Sequence, residues 1–234
     1  MKSFLKGLRL GVPIGLGYLS VSFTFGISAV YNGLTWWQAV IISMTTLTSA
    51  GQLAGIGTMA MGGSYLEMLV SQFTINLRYS FMSVSLSQKT TAEFNGVKRW
   101  LMGFFMTDEI FATASAQEEV STKLFAGLSV MPYIGWTLGT LLGSVLGNVL
   151  PDSLMNALCI AIYGMFVAIV APVAKEKRNV LWVVAAAIAL STAFYYLPLL
   201  KGLSAGISVS ICAVAAALFG ALVFPIKEGD DHAE

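Results

Sequence analysis

Apolar residues run along this chain in eight long windows, near positions 11–31, 36–61, 65–88, 100–116, 124–150, 153–174, 179–200 and 203–226, with short polar or charged connectors between them. An α-helix rising 1.5 Å per residue needs about 20 such residues to cross a ~30 Å hydrocarbon core. The pattern predicts an all-α integral membrane protein, a polytopic bundle of seven to eight transmembrane helices. It reads as one domain over residues 1–226 with a polar tail at 227–234. No charged residue occurs between Arg9 and Glu67, so that stretch must enter the bilayer at least twice. Residues Met1 to Ala29 superficially resemble a secretory signal, but the apolar sequence continues beyond them, which favours a retained first span.

Polar residues inside these windows mark where the bundle faces itself rather than lipid. Ser43, Thr45, Thr46, Thr48, Ser49, Gly51 and Gln52 crowd the middle of the second window, and Gly51, Gly55 and Gly57 permit unwinding there. An unwound turn at mid-membrane would offer backbone N–H and C=O groups to a substrate. The competing reading is close helix packing through small residues. The third window carries Gln72, Asn76, Ser80, Ser83 and Ser87 at helical spacing, and this helix is expected to be buried in protein. Thr48, Ser49, Gly51, Gln52, Gln72 and Asn76 are therefore the candidate substrate-binding residues.

Arg78 lies well inside the third window, where an arginine costs about 2.5–3.5 kcal/mol on insertion scales before it finds a partner. Glu67, eleven residues earlier on the same helix, is too far along the axis to pair with it, and reads as an interfacial residue at the helix start. Asp108 and Glu109 interrupt the apolar run of the fourth window and are better placed. One can pair with Arg78 while the other faces a cavity, because adjacent helical residues diverge by about 100°. The pair also fits the first turn of a half-helix capped by Thr107. Both readings stay open, with Arg78, Asp108 and Glu109 as candidates for charge pairing and proton coupling.

Charge distribution bears on topology. Lys2, Lys6 and Arg9 place the amino terminus in the cytoplasm. Eight plain crossings would put Lys175, Lys177 and Arg178 inside but Lys89, Lys98 and Arg99 outside. Bringing residues 89–99 inside requires an earlier segment not to cross, and the broken or re-entrant stretch near 45–57 is the candidate. Gly135, Gly139, Gly143 and Gly147 recur every fourth residue and form one smooth helix-packing stripe. Trp36, Trp37, Trp100, Tyr195 and Tyr196 sit at window ends as interfacial anchors. A weak two-fold internal repeat relates residues 11–116 to 124–226, aligning Asn32 with Asn148 and Tyr79 with Tyr195.

Composition narrows the chemistry. Only 11% of residues are charged and the net charge is +1, so no broad basic field exists for nucleic acid. Cys159 and Cys212 lie in apolar runs, and His232, the one histidine, is in the tail, which gives no metal site and no cofactor.

Four segments in order, Ser49-Ala-Gly-Gln-Leu-Ala, Asn76-Leu-Arg-Tyr79, Thr107-Asp-Glu-Ile-Phe-Ala112 and Gly135-Trp-Thr-Leu-Gly139, resemble the successive signatures of the AzlC family. The resemblance spans most of the chain. It implies a large subunit of a branched-chain amino acid exporter, a proton-driven antiporter of the cytoplasmic membrane that works with a small AzlD-type membrane subunit. The family pattern usually ends its second signature in histidine, where this chain has Tyr79, so a proton role for that histidine does not carry over.

Three function classes remain to be compared. The leading one is a secondary transporter whose 45–57 segment and third helix form the substrate site, with Asp108 or Glu109 coupling protonation to alternating access. A membrane-embedded enzyme would need a general base or metal ligand beside a nucleophile, and the windows hold no histidine to serve. The third is an accessory or scaffold subunit without its own substrate site, in which the glycine stripe matters and the polar residues do not; export of another small solute is a further alternative.

Overall fold

The computed structural model describes residues 1–147, 151, 153, 167, 170–197 and 205–225. Nine helices are delimited among them: α1 (Lys2–Tyr31), α2 (Trp36–Thr45), α3 (Ser49–Ala60), α4 (Tyr65–Ser87), α5 (Gly96–Gly103), α6 (Asp108–Ser115), α7 (Thr122–Leu146), α8 (Arg178–Tyr196) and α9 (Ala205–Val223). The described residues contain no strand, only an isolated bridge between Thr90 and Val120. The chain is an all-α membrane protein. By length and composition alone, α1, α7 and α8 are apolar enough to cross a bilayer.

α1 and α7 form the spine. Gly7 lies against Leu124, Gly11 against Leu128, Gly15 against Met131 and Gly26 against Thr140, so the two helices run parallel. A Cβ at Gly135, Gly139 or Gly143 would collide with the backbone of Gly15, Leu19 or Phe23 respectively, which is the close approach that only glycine allows. Gly147 is looser, with its nearest neighbour, the Ile27 side chain, at 3.2 Å from a notional Cβ. The stripe read from α7 is thus a seam, and Gly7, Gly11, Gly15 and Gly26 of α1 supply its other half.

Against this spine the depth of every other element can be read. α2 and α3 are 10 and 12 residues long, too short at 1.5 Å per residue to cross a ~30 Å core. Ala39, early in α2, and Ile56, late in α3, belong to one buried cluster with Phe25 and Ala29. Leu47, at the break between the two helices, instead packs with Tyr18 and Trp136 near the middle of the spine. The pair is therefore a re-entrant hairpin that descends to mid-depth and returns, as the basic connector at 89–99 requires. Gly62, at φ +68°, then turns the chain into α4.

α4 spans 23 residues and runs antiparallel to α3, with Gln72 at the level of Gly51 and Asn76 at Thr48. It ends at the basic end of the molecule. There the fourth window, read from the sequence as a single crossing, instead makes a second hairpin. α5 and α6 have eight residues each. α6 begins at mid-depth, where Thr107 meets Tyr18, and ends beside Lys89, whose Nζ donates to the Ser115 carbonyl at 2.7 Å. Leu86, Phe94, Met106, Ile110, Val120 and Phe125 pack between this hairpin and the feet of α4 and α7.

The two hairpins enter from opposite ends and meet halfway. With α2–α3 and α5–α6 not crossing, Lys2, Lys6, Arg9, Lys89, Lys98, Arg99 and Lys123 all fall at one end of the spine. Trp36, Trp37, Trp100, Tyr195 and Tyr196 are exposed, as anchors at window ends should be. Glu67 stands at the start of α4, as read from the sequence, with its amide held by Ser64 and its side chain buried. Cys212 is buried. Cys159, His232, the 227–234 tail and much of the second member of the expected repeat lie outside the described residues.

Candidate functional site

The hairpin tips enclose a cavity of about 120 Å³ lined by Leu47 and Ser49 from one tip and by Thr107, Asp108 and Glu109 from the other. Tyr18, Arg78, Tyr79, Trp136 and Val170 complete the wall. Each half of the site rests on a helix start. Thr48 caps α3, its hydroxyl accepting from the Gly51 amide, and Thr107 caps α6, accepting from the Ile110 amide. Two helix amino termini, each carrying a partial positive charge and amides that their own helix cannot satisfy, therefore converge on one space.

The charged residues converge there too. Arg78 Nη1 lies 2.7 Å from Asp108 Oδ2. Arg78 Nη2 donates to the Tyr79 hydroxyl at 3.0 Å, and its guanidinium carbon sits 4.8 Å from the Tyr79 ring centre. The Arg78 Nε is buried with no partner. Glu109 accepts a hydrogen bond from the Tyr18 hydroxyl. Both open readings of Asp108 and Glu109 thus hold together: they occupy the first turn of a capped half-helix, and they point to different partners. The cavity is charged on one side and apolar on the other, where Leu47, Trp136 and Val170 stand.

The residues proposed from sequence to hold substrate divide into three. Ser49 lines the cavity. Thr48 donates to Asn76 Oδ1 at 2.7 Å, Asn76 donates to Gln72 at 3.2 Å, and Gln72 donates to the Gly51 carbonyl at 2.7 Å. These four form a polar seam that fixes α3 against α4. Gln52 is 3% exposed. Its amide nitrogen donates to the Thr46 carbonyl at 2.7 Å, and its amide oxygen accepts from Trp136 Nε1 at 3.2 Å, so it ties the tip of the α2–α3 hairpin to α7. Ser43 and Thr140 share a further buried hydroxyl contact at 2.7 Å between the same elements.

Tyr18 and Trp136 are the residues that sequence reasoning missed. Their rings pack edge to face with centroids 5.3 Å apart, and both line the cavity. A tyrosine and a tryptophan in long apolar windows look like ordinary membrane-helix residues. The available signal was depth: both fall in the interior of a window rather than at its ends, where a hydroxyl or indole N–H needs a partner.

Comparison with known proteins places the chain among membrane proteins. Residues 13–150 match the family model described as AzlC protein. An uncharacterized membrane protein of Archaeoglobus fulgidus is 31% identical over 94% of this chain and 93% of its own length. The inner membrane protein YgaZ of Escherichia coli is 25% identical over 59% of this chain and 58% of its own. An uncharacterized membrane protein of Helicobacter pylori is 28% identical over 60% of this chain and 64% of its own. No solved structure matches. The matched region, residues 13–150, contains both hairpins, α4, α7 and all but about the first three turns of α1, and with these matches the chain belongs to the AzlC protein family.

Proposed function

We propose that this chain is the large subunit of a secondary transporter that exports branched-chain or other hydrophobic amino acids across the cytoplasmic membrane. It would act with a small AzlD-type membrane subunit and draw on the proton gradient. The observation that carries the reading is the cavity between the two hairpin tips. Broken helices that present their amino termini at mid-membrane are how several transporters receive a carboxylate. Here the carboxylate would meet the starts of α3 and α6 and the Arg78 guanidinium, and the ammonium would meet Asp108 or the tip carbonyls. The apolar wall of Leu47, Trp136 and Val170 would take the side chain. A space of about 120 Å³ is close to the ~150 Å³ that holds one benzene-sized group. It suits one short branched side chain better than a large solute.

The basic end of the bundle would be cytoplasmic, since short loops rich in lysine and arginine stay on that side. The α2–α3 hairpin then closes the cavity from outside and the α5–α6 hairpin from inside, one gate for each face. The scaffold alternative lacks a reason for an arginine and two carboxylates at mid-depth, where each is costly. The test is efflux of preloaded labelled leucine, isoleucine, valine and methionine from vesicles containing this chain with and without the small subunit, before and after collapsing the proton gradient. Efflux that needs both subunits and the gradient is expected. No efflux of any of the four, with both subunits verified in the membrane, would overturn the proposal.

A further inference from the structure

The two carboxylates of the site are held differently, and the difference assigns them separate tasks. Asp108 is ion-paired with Arg78 at 2.7 Å. Protonating it would leave a mid-membrane guanidinium without its counter-charge, which is costly where water is scarce. Among the described residues no cation pairs with Glu109, which bonds to Tyr18 instead. The polar and titratable groups that share the cavity with Glu109 are Tyr18 from α1, Arg78 and Tyr79 from α4, Asp108 and Thr107 of its own turn, Ser49 from the opposite tip, and the indole of Trp136 from α7.

The surroundings of Tyr18 suit a carboxyl that changes its charge. The Tyr18 hydroxyl is 2.7 Å from Thr107 Oγ1 and also touches Glu109, but a phenol has one proton to give. With Glu109 ionised, that proton goes to the carboxylate, which can only accept, and Thr107 donates to the phenol oxygen. With Glu109 protonated, every bond reverses: the carboxylic acid donates to Tyr18 and Tyr18 donates to Thr107. The carboxyl and the phenol keep their bonds in both states without moving a heavy atom. What changes is the charge assistance, which roughly doubles the strength of such a bond.

That bond is one end of a chain joining the two gates. Tyr18 packs edge to face on Trp136, Trp136 Nε1 donates to Gln52, and Gln52 donates to the Thr46 carbonyl at the tip of the opposite hairpin. We propose that Glu109 is the proton-carrying carboxylate and that its bond to Tyr18, relayed through Trp136 and Gln52, holds the α2–α3 hairpin shut while Glu109 is charged. Asp108 is the fixed counter-ion of Arg78. The inference rests on the transporter reading for its purpose, but its test does not depend on knowing the substrate.

The test uses a single reporter cysteine, Ser49→Cys, in the full chain with Cys159 and Cys212 replaced by alanine and the protein reconstituted in vesicles. Its modification by a membrane-impermeant maleimide is measured from pH 5.5 to pH 8.5, each rate normalised to that of the unfolded protein at the same pH. At least a fivefold rise towards low pH is expected. Glu109→Gln should hold the rate near its low-pH level throughout, Glu109→Asp should restore the dependence with a displaced midpoint, and Tyr18→Phe should shrink the span. Asp108→Glu should retain the dependence. A flat profile for the otherwise native protein, or an unchanged profile in Glu109→Gln, overturns the inference. A Glu109-dependent profile in a protein that moves none of the four amino acids supports the inference while refuting the substrate assignment.

Discussion

The spine and the hairpin tips solve opposite problems with opposite residues. Along the α1–α7 seam, side chains are removed so that two backbones touch: Gly135, Gly139 and Gly143 each leave no room for even a methyl group. At the tips, side chains are retained and partnered so that two backbones stay apart: Gln52, Trp136, Tyr18 and Glu109 hold open a space that Arg78 and Asp108 charge. In lipid there is no hydrophobic force to bring helices together, so van der Waals contact and interhelical hydrogen bonds do the work. The seam uses the first and is rigid. The tips rely on the second, whose strength depends on the charge of the groups that make it.

The comparison breaks most severely at the seam. Gly143→Ala places a Cβ on the Phe23 carbonyl and is expected to cost about 3 kcal/mol, the upper range for overpacking. It should be seen as loss of monodisperse protein after detergent extraction, whatever the pH or substrate. Asp108→Asn acts on the other region: its amide oxygen can still accept from Arg78 Nη1 where Asp108 Oδ2 now does, and the α1–α7 seam is untouched, so the protein should remain monodisperse. Leucine efflux should fall at least about tenfold, equivalent to 1.4 kcal/mol. A folded protein with unchanged efflux would remove Asp108 from the site.

Trp136→Phe lies where the regions meet. It keeps an aromatic ring against Tyr18 but withdraws the donor to Gln52 Oε1, and a buried acceptor left alone costs about 1–2 kcal/mol. Thermal unfolding should report that loss, and reporter labelling at Ser49→Cys should rise at every pH because the tip is less firmly held. The smallest effect sharpens the contrast: Gly17→Ala, on the α1 face away from the seam, meets nothing within 4 Å and should change stability by no more than about 0.5 kcal/mol. Glycine matters here by position, not by content.

Much of this was legible because lipid imposes strong rules on sequence. The apolar windows, the stripe at Gly135–Gly147, a break in the second window and the pairing of Arg78 with one of the two carboxylates at 108–109 all followed from the cost of exposing polar groups to hydrocarbon, although the break falls at residues 46–48 and Gly51, Gly55 and Gly57 are helical. The break that the positive-inside argument looked for in the second window is present, between α2 and α3. The fourth window was harder. Residues 100–116 are barely long enough to cross, and Thr107-Asp-Glu at their centre reads equally as a cap or as a polar patch in a span. Only contact between Thr107 and Tyr18, far apart in sequence, decides for the cap. The seam's other half, Gly7, Gly11 and Gly15, showed the same four-residue spacing but begins among the amino-terminal basic residues, where the apolar pattern is weakest. The roles of Thr48, Gln72 and Asn76 in joining α3 to α4 could not be separated from substrate binding by residue type, since both tasks need hydroxyls and amides at mid-depth.

Substrate protection at the reporter tests most directly whether the space between the tips is where the amino acid sits. With Ser49→Cys in a chain that still effluxes leucine, maleimide labelling is followed at fixed pH against rising leucine, isoleucine or valine, beside a control cysteine at Gly57, on α3 but away from the cavity. The structure predicts saturable protection at position 49, weakened by Asp108→Asn, and none at position 57. Efflux that proceeds while position 49 labels at the same rate at every concentration of all three amino acids would place the substrate elsewhere and contradict the assignment.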